Sequence, residues 1–276
     1  MYLEKKVCVI TGASAGIGKA TAITLAKNGN TIIMLVRDSD KSRQAYKEIN
    51  AASVGAEIHL LYVDLSSMDS IRKVAEKISN KYSHIDILIN NAGVLKRKPE
   101  LSVDGIEMTY AVNLFAPFLL TNQLLPLVEK SQSARIINLT SELYKKGKIE
   151  FDGFSSLDNF NSSKAYANSK LMVVINTLVL SNKLKDKNIT VNCVHPGVVG
   201  TDVMRDYPKW LSKLLNIFIS KPEVGAEPTI FLATSPEMAK ITGKYYSKMT
   251  QSPVIDIASN EVTANQVWAF CEKITG

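Results

Sequence analysis

Metal-binding and disulfide-forming residues are scarce in this chain. The three cysteines, Cys8, Cys193 and Cys271, stand far apart with no Cys-x-x-Cys pair, and the three histidines are scattered at 59, 84 and 195. An odd number of unrelated cysteines excludes a disulfide framework, and no metal-ligand spacing appears, so no metal site is expected. No run of 18 or more apolar residues is present, and no basic segment leads into a short apolar one near the start, where only a handful of residues precede the first strand-like run. A soluble, cytoplasmic protein is the expectation. Proline, glycine and serine form no linker, and there is no repeat or low-complexity tract, so residues 1–276 read as one domain. The net charge of +7 comes from lysines spread along the chain without a basic run interleaved with aromatics, which argues against nucleic acid as a partner.

What is present is alternation. Strand-like apolar runs lie near Val7–Thr11, Thr31–Val36, Glu57–Tyr62, Ile85–Asn90, Arg135–Leu139, Thr190–His195 and Gly243–Ser247. Helical patterns separate them near Ile17–Lys27, Lys41–Ala51, Ser67–Tyr82, Asp104–Leu125, Lys164–Leu184 and Glu223–Ala233, with a further one near Ser259–Ile274. Such a succession implies right-handed crossovers and a parallel sheet covered by helices on both faces.

Three segments carry chemistry. Tyr166 and Lys170 stand four apart in Asn161-Ser-Ser-Lys-Ala-Tyr-Ala-Asn-Ser-Lys170, on one face of the expected helix. A phenol beside an ammonium makes a proton-transfer pair, the positive charge pulling the tyrosine pKa down. The first strand runs into Thr11-Gly-Ala-Ser-Ala-Gly-Ile-Gly18, a strand, glycine turn and helix suited to a phosphate group. Gly12 would permit the turn, Gly16 the approach of a pyrophosphate and Gly18 close helix packing; a glycine turn without a ligand is the plainer reading. Arg135-Ile-Ile-Asn-Leu-Thr-Ser141 is a strand ending in hydroxyls, so Ser141 would sit at the same sheet edge, either holding a reacting oxygen beside Tyr166 or merely starting a loop.

Taken with Asp64-Leu65, Asn90-Asn-Ala-Gly93, Asn113 and Pro196-Gly197, these segments resemble the short-chain dehydrogenase/reductase family from Lys6 to Gly276. Arg37-Asp38, Leu139-Thr-Ser-Glu-Leu-Tyr144, His195-Pro-Gly197 and Thr242-Gly-Lys-Tyr-Tyr246 are most similar to its retinol-dehydrogenase-like reductases. The resemblance implies a Rossmann-type, doubly wound α/β fold with a seven-stranded parallel sheet in the order 3-2-1-4-5-6-7. It also implies a catalytic set of Asn113, Ser141, Tyr166 and Lys170, with Asn113 holding a water that connects the lysine to solvent. Cofactor contacts are implied for Gly12, Ser14, Gly16, Ile17, Gly18, Asp64, Leu65, Asn91, Ala92, Gly93, Tyr166, Lys170, Pro196, Gly197, Val199 and Thr201. Asp64 would meet the adenine, unless it or Ser66 simply caps the next helix.

Cofactor choice is read at the end of the second strand, Leu35-Val-Arg-Asp38, where an acidic residue favours the ribose hydroxyl of NAD and a basic one the 2′-phosphate of NADP. Val36 occupies the place of the NAD-type acid and Arg37 follows, so NADP is expected, with NADPH preferred over a possible NAD. Asp38 turned inward would bind the hydroxyl; turned outward it would cap a helix. His195 reads as a hydrogen-bonded strand-end residue or as one that positions the nicotinamide.

Two insertions, 144–161 and 200–221, are expected to set the substrate. The second places Trp210, Leu211, Leu214, Leu215 and Phe218 on one helical side, read as a lid over an apolar substrate, with a membrane-surface helix and a core helix as alternatives. The expected activity is hydride transfer between NADP(H) and a lipophilic aldehyde, ketone or alcohol; the alternative is an NADPH-binding sensor or scaffold with little turnover. A homodimer or homotetramer is implied only by the resemblance.

Overall fold

Alternating side chains on the inner strands divide the core into two halves. In a computed structural model that describes residues 5–53, 55–152, 154–155, 157–197 and 221–276, Val9, Leu88 and Ile136 face one buried cluster, while Cys8, Ile10, Ile87, Ile89 and Ile137 face the other. Strands buried on both faces need helices on both faces, and the chain supplies them. The order is β1 (Val7–Thr11), α1 (Gly16–Lys27), β2 (Thr31–Val36), α2 (Asp40–Ala52), β3 (Ile58–Tyr62), α3 (Met68–Lys81) and β4 (Ile87–Asn90). Then come α4 (Met108–Val128), β5 (Ala134–Leu139), α5 (Ser162–Lys183), β6 (Ile189–His195), α6 (Pro222–Thr234), β7 (Tyr245–Ser247), β8 (Thr250–Ser252), α7 (Asp256–Ser259) and α8 (Glu261–Thr275).

The sheet order is β3-β2-β1-β4-β5-β6-β7-β8. All pairs are parallel except β7 with β8, which pair antiparallel, so the sheet has eight strands where seven were expected. β8 joins β7 through a tight turn in which Lys248 takes φ +55°. The parallel register sets Thr11 beside Leu35, Asn90 beside Asn138, and Leu139 beside Val194, bringing the carboxyl ends of β1, β4, β5 and β6 to one edge. The order in which strands are added reverses between β1 and β4, and ligands of doubly wound sheets sit at that switch.

Helix α4 begins later than its apolar pattern suggests. Gly105 takes φ +73° in a turn, and the buried Glu107 caps the helix by accepting from the Tyr110 N–H at 3.2 Å. Residues Ala111–Phe115 then form a π-helical turn, with Ala116 N–H donating to the Ala111 carbonyl. Pro117 explains the widening: it cannot donate to the Asn113 carbonyl, and its ring would crowd that oxygen in a regular helix. α4 is the one helix among the described residues that is long and apolar enough to cross a membrane, a stretch missed by counting unbroken apolar runs; 67% of its most apolar window is buried inside the fold.

The first insertion is pinned to the core. Phe154 lies 5.8 Å from Phe115 and 5.1 Å from Phe270 of α8, and Phe151 lies 5.0 Å from Phe270, centroid to centroid. These aromatic rings anchor the segment on α8. The second insertion, apart from Lys221 at its end, lies outside the described residues, Trp210 and its neighbours included.

Candidate active site

The glycine turn is built by contacts that tolerate no side chain. Gly12 and Gly16 take φ +69° and +53°, and a Cβ at Gly18 would stand 2.5 Å from the Gly12 carbonyl oxygen and 2.4 Å from Asn91 Nδ2. The tight approach at Gly18 is therefore between α1 and the turn itself. Helix α1 has no side-chain cap at Ala15 and no acidic residue in its first turn, so its N–H groups and positive dipole end stay available to an anion. Ser14 and Ile17 belong to this turn. A pyrophosphate fits that cradle.

Asn91 and Ala92 hold the turn from β4. Thr11 Oγ1 accepts from the N–H groups of both at 3.0 Å, and Asn91 Nδ2 donates to the Thr11 carbonyl at 2.7 Å. Gly93 follows, and a Cβ there would come within 3.4 Å of Asn113 Oδ1 and 3.6 Å of Lys170 Nζ. Beneath this edge runs a buried chain in which Asn90 donates to Thr121 at 3.0 Å and to Asn138 at 2.8 Å, and Asn138 donates to Thr177 at 2.9 Å. This network ties β4 to α4 and to β5, and β5 to α5, although Asn90 Oδ1 has no hydrogen-bond partner among the described residues.

All four catalytic candidates meet where β4 and β5 end. The Ser141 hydroxyl lies near enough to the Tyr166 phenol to lower its pKa. Lys170, one turn further along α5, donates to the Leu139 carbonyl at 2.9 Å, with its ammonium 5.8 Å from the Tyr166 ring centre. Asn113, in the π-helical turn, accepts from Val94 N–H at 2.8 Å and donates to the Val94 carbonyl at 2.9 Å, and its Nδ2 reaches Ser169 Oγ at 3.4 Å. Thr140 donates to the Lys170 carbonyl at 3.2 Å and Ser141 accepts from Leu143 N–H at 3.3 Å, so the loop-starting role of these hydroxyls coexists with the Tyr166 contact.

The electrostatics correct one expectation. Burial pushes Tyr166 up to about 12, opposed by the nearby Ser141 hydroxyl. Burial likewise lowers Lys170 to about 8. Within the chain alone desolvation outweighs the attraction expected from Lys170, whose ammonium is turned to the Leu139 carbonyl.

Three positioning residues escaped the sequence reading. Glu142 accepts a 2.5 Å bond from Tyr245 of β7 and pairs with Lys145 at 2.7 Å. Burial alone would raise its pKa, but hydrogen bonds from Lys145, Tyr245 and Ser247 hold it down at about 2. The turn that starts at Ser141 is thereby tied to β7. Gly147 lies so close to α5 that a Cβ would stand 2.6 Å from the Ala167 carbonyl, seating the same turn next to Tyr166. Arg43 is the third, through its contact with Asp38. Only backbone tightness at Gly147 had a local sign, a glycine within a lysine-rich turn.

Other candidates take these places. Arg37 is exposed at the end of β2, and Asp38 pairs with Arg43 while Ser39 caps α2, so Asp38 is not the helix cap. Asp64 Oδ1 accepts from Ser66 N–H at 2.9 Å and from the Ser66 hydroxyl at 2.7 Å, and Leu65 is half-buried beside it. The cap of α3 is Ser67, neither Asp64 nor Ser66. Pro196 and Gly197 lie beyond β6 at the catalytic edge; Val199 and Thr201 lie outside the described residues. At His195 the buried Nδ1 has no hydrogen-bond partner among the described residues, and burial lowers its pKa.

Comparison with known proteins agrees with this geometry. The short chain dehydrogenase profile matches residues 6–212. Retinol dehydrogenase 13 of Homo sapiens is 36% identical over 280 residues, spanning 98% of this chain and 85% of that protein. Retinol dehydrogenase 14 of Homo sapiens is 34% identical over 290 residues, spanning 99% and 87%. Among solved structures, an uncharacterized protein from Mycobacterium paratuberculosis superposes with a TM-score of 0.78 at 27% identity, covering 98% of this chain and 93% of its own. A short chain dehydrogenase from Shigella flexneri, complexed with NADP, superposes with a TM-score of 0.71 at 25% identity, covering 90% and 99%. With the family profile over residues 6–212 and relatives of 34–36% identity aligned almost end to end, the chain belongs to the short-chain dehydrogenase family of oxidoreductases.

Proposed function

We propose that this chain is an NADP-dependent enzyme of the carbonyl reductase or alcohol dehydrogenase type, acting on a lipophilic aldehyde, ketone or alcohol. The observation that carries this reading is the convergence of Ser141, Tyr166 and the buried Lys170 at the sheet edge shared with the glycine turn. Bound NADP(H) would supply or accept the hydride. Gly12 to Gly18 would hold its pyrophosphate, with Arg37 at the 2′-phosphate, Asp64 and Leu65 at the adenine, Asn91 to Gly93 along the ribose, and Pro196 to Thr201 at the carboxamide. The uncapped start of α1, with no acidic residue in its first turn, is what makes the turn fit such a group.

Tyr166, kept protonated by burial, is a proton donor at neutral pH, which suits protonation of a carbonyl oxygen as it is reduced. Ser141 would polarise that oxygen with its hydroxyl. Lys170, still charged at neutral pH, would favour the developing phenolate, and Asn113 would keep the relay toward solvent in place by fixing Val94. A lipophilic substrate is supported by Leu143 and Met249, apolar and 41% and 50% exposed, which border the catalytic edge on the Ser141 turn and the β7 to β8 turn. A cytoplasmic, reducing setting suits three buried free thiols.

The test is NADPH consumption against short and long aldehydes, ketones and quinones, with Tyr166→Phe alongside and NADH in place of NADPH. Positioned acid catalysis contributes about 10²- to 10⁴-fold, so the variant should lose turnover on that scale while still binding NADPH. Wild-type turnover by Tyr166→Phe would refute the mechanism. NADPH binding without turnover on any substrate would favour the sensor reading.

A further inference from the structure

Arg37 at the end of β2 is followed by an acid, and a carboxylate there competes with a 2′-phosphate: it accepts from ribose hydroxyls and repels the phosphate. In this chain that carboxylate is occupied. Arg43, on the first turn of α2, holds Asp38 Oδ1 through one guanidinium nitrogen and Asp40 Oδ1 through two others at 2.9 and 3.3 Å. Hydrogen bonds to Asp40, Tyr62 and Asp38 together raise its pKa above the ordinary value, so it is cationic at any working pH. The loop backbone is fixed by other means: Ser42 N–H donates to Ser39 Oγ at 3.2 Å, and Ser42 Oγ donates to the Arg37 carbonyl at 2.7 Å.

We propose that Arg43 is a positioning residue for cofactor discrimination: by engaging Asp38 it keeps that carboxylate off the adenosine ribose and stops it from repelling a 2′-phosphate bound at the end of β2. The inference rests on the cofactor site proposed above and adds to it a residue six positions past Arg37. Residues 37–43 carry the cations Arg37, Lys41 and Arg43 against the anions Asp38 and Asp40. Removing Arg43 cancels the positive balance and releases two carboxylates at the point where the phosphate would bind. The serine contacts keep the loop in place, so the change is one of charge.

The experiment is calorimetric titration of the full chain with adenosine 2′,5′-bisphosphate and with 5′-AMP, followed by NADPH and NADH. Wild type should bind the bisphosphate more tightly. In Arg43→Met the ratio of the two dissociation constants should fall about fivefold, the scale of an exposed ion pair. Arg43→Lys should keep most of the ratio, and Arg43→Met with Asp38→Asn should recover it, because the released carboxylate is gone. An unchanged ratio in Arg43→Met, or equal weakening of both ligands, would overturn the proposal, as would a double variant no better than the single one. Wild-type protein that binds neither nucleotide would sink the cofactor site itself, an outcome distinct from binding without discrimination.

Discussion

Tyr166 and Lys170 show how burial and charge compete over a single turn of helix. The i, i+4 spacing suggests a tyrosine made acidic by its neighbour, yet in the folded chain Tyr166 stands at about 12 and Lys170 at about 8, both moved toward their neutral forms by loss of water. A site of this kind is primed as a proton donor. The same scale decides Gly18, where the constraint is steric. Gly18→Ala would place a methyl 2.5 Å from the Gly12 carbonyl oxygen, which only a backbone shift can relieve. Overpacking of this kind costs about 1–3 kcal/mol, and here it would open the turn proposed above to hold the pyrophosphate. The variant should melt at lower temperature and bind NADPH at least tenfold more weakly, by thermal unfolding and titration. Wild-type affinity would show that the turn is not the pyrophosphate site.

At the scale of elements, the π-helical turn of α4 does what a regular helix would not. Widened ahead of Pro117, it turns Asn113 so that both ends of its amide pair with the Val94 backbone, tying α4 to the segment after β4. Asn113→Leu would leave the Val94 N–H and carbonyl buried without partners, a cost of about 1–3 kcal/mol each. Urea unfolding should show that loss, and turnover should fall with it as Gly93 shifts beside Lys170; unchanged stability would mean that water replaces the amide. The apolar strands were legible in the sequence because burial on both faces demands unbroken apolar runs, as in Val7–Thr11 and Thr31–Val36. β8 was not, since Thr250-Gln251-Ser252 is polar and pairs through backbone alone. The glycines, Ser141, Tyr166 and Lys170 were legible as local motifs. Glu142 was not, because its partner Tyr245 is 103 residues away, and Asp38 could be oriented only once Arg43 was seen against it.

The whole molecule buries titratable groups that an open sheet covered by helices on both faces keeps from water, and its alkaline behaviour follows. Cys8, Cys193 and Cys271 are all raised by burial, so above about pH 9 an unfolded chain releases protons that the native one retains, and stability falls. Tyr166 acts in the same sense between 10 and about 12. Lys170 acts oppositely. Unfolded, it keeps its proton up to 10.5; folded, it gives the proton up above about 8, so across that window the unfolded state binds more protons and this group's contribution rises with pH. Below about 8 the native state carries the buried charge at a constant cost. Lys170→Met removes that cost, so the variant should be the more stable protein at pH 7. The gap should close as pH climbs from about 8 toward 10.5, by an upper limit of roughly 3 kcal/mol. Urea unfolding of both proteins at pH 7, 8, 9 and 10 measures the gap, and taking the difference cancels the cysteines. A gap that stays constant across the series would mean that Lys170 is solvated in the native state, and the charged lysine beside Tyr166 would then persist well into alkaline pH.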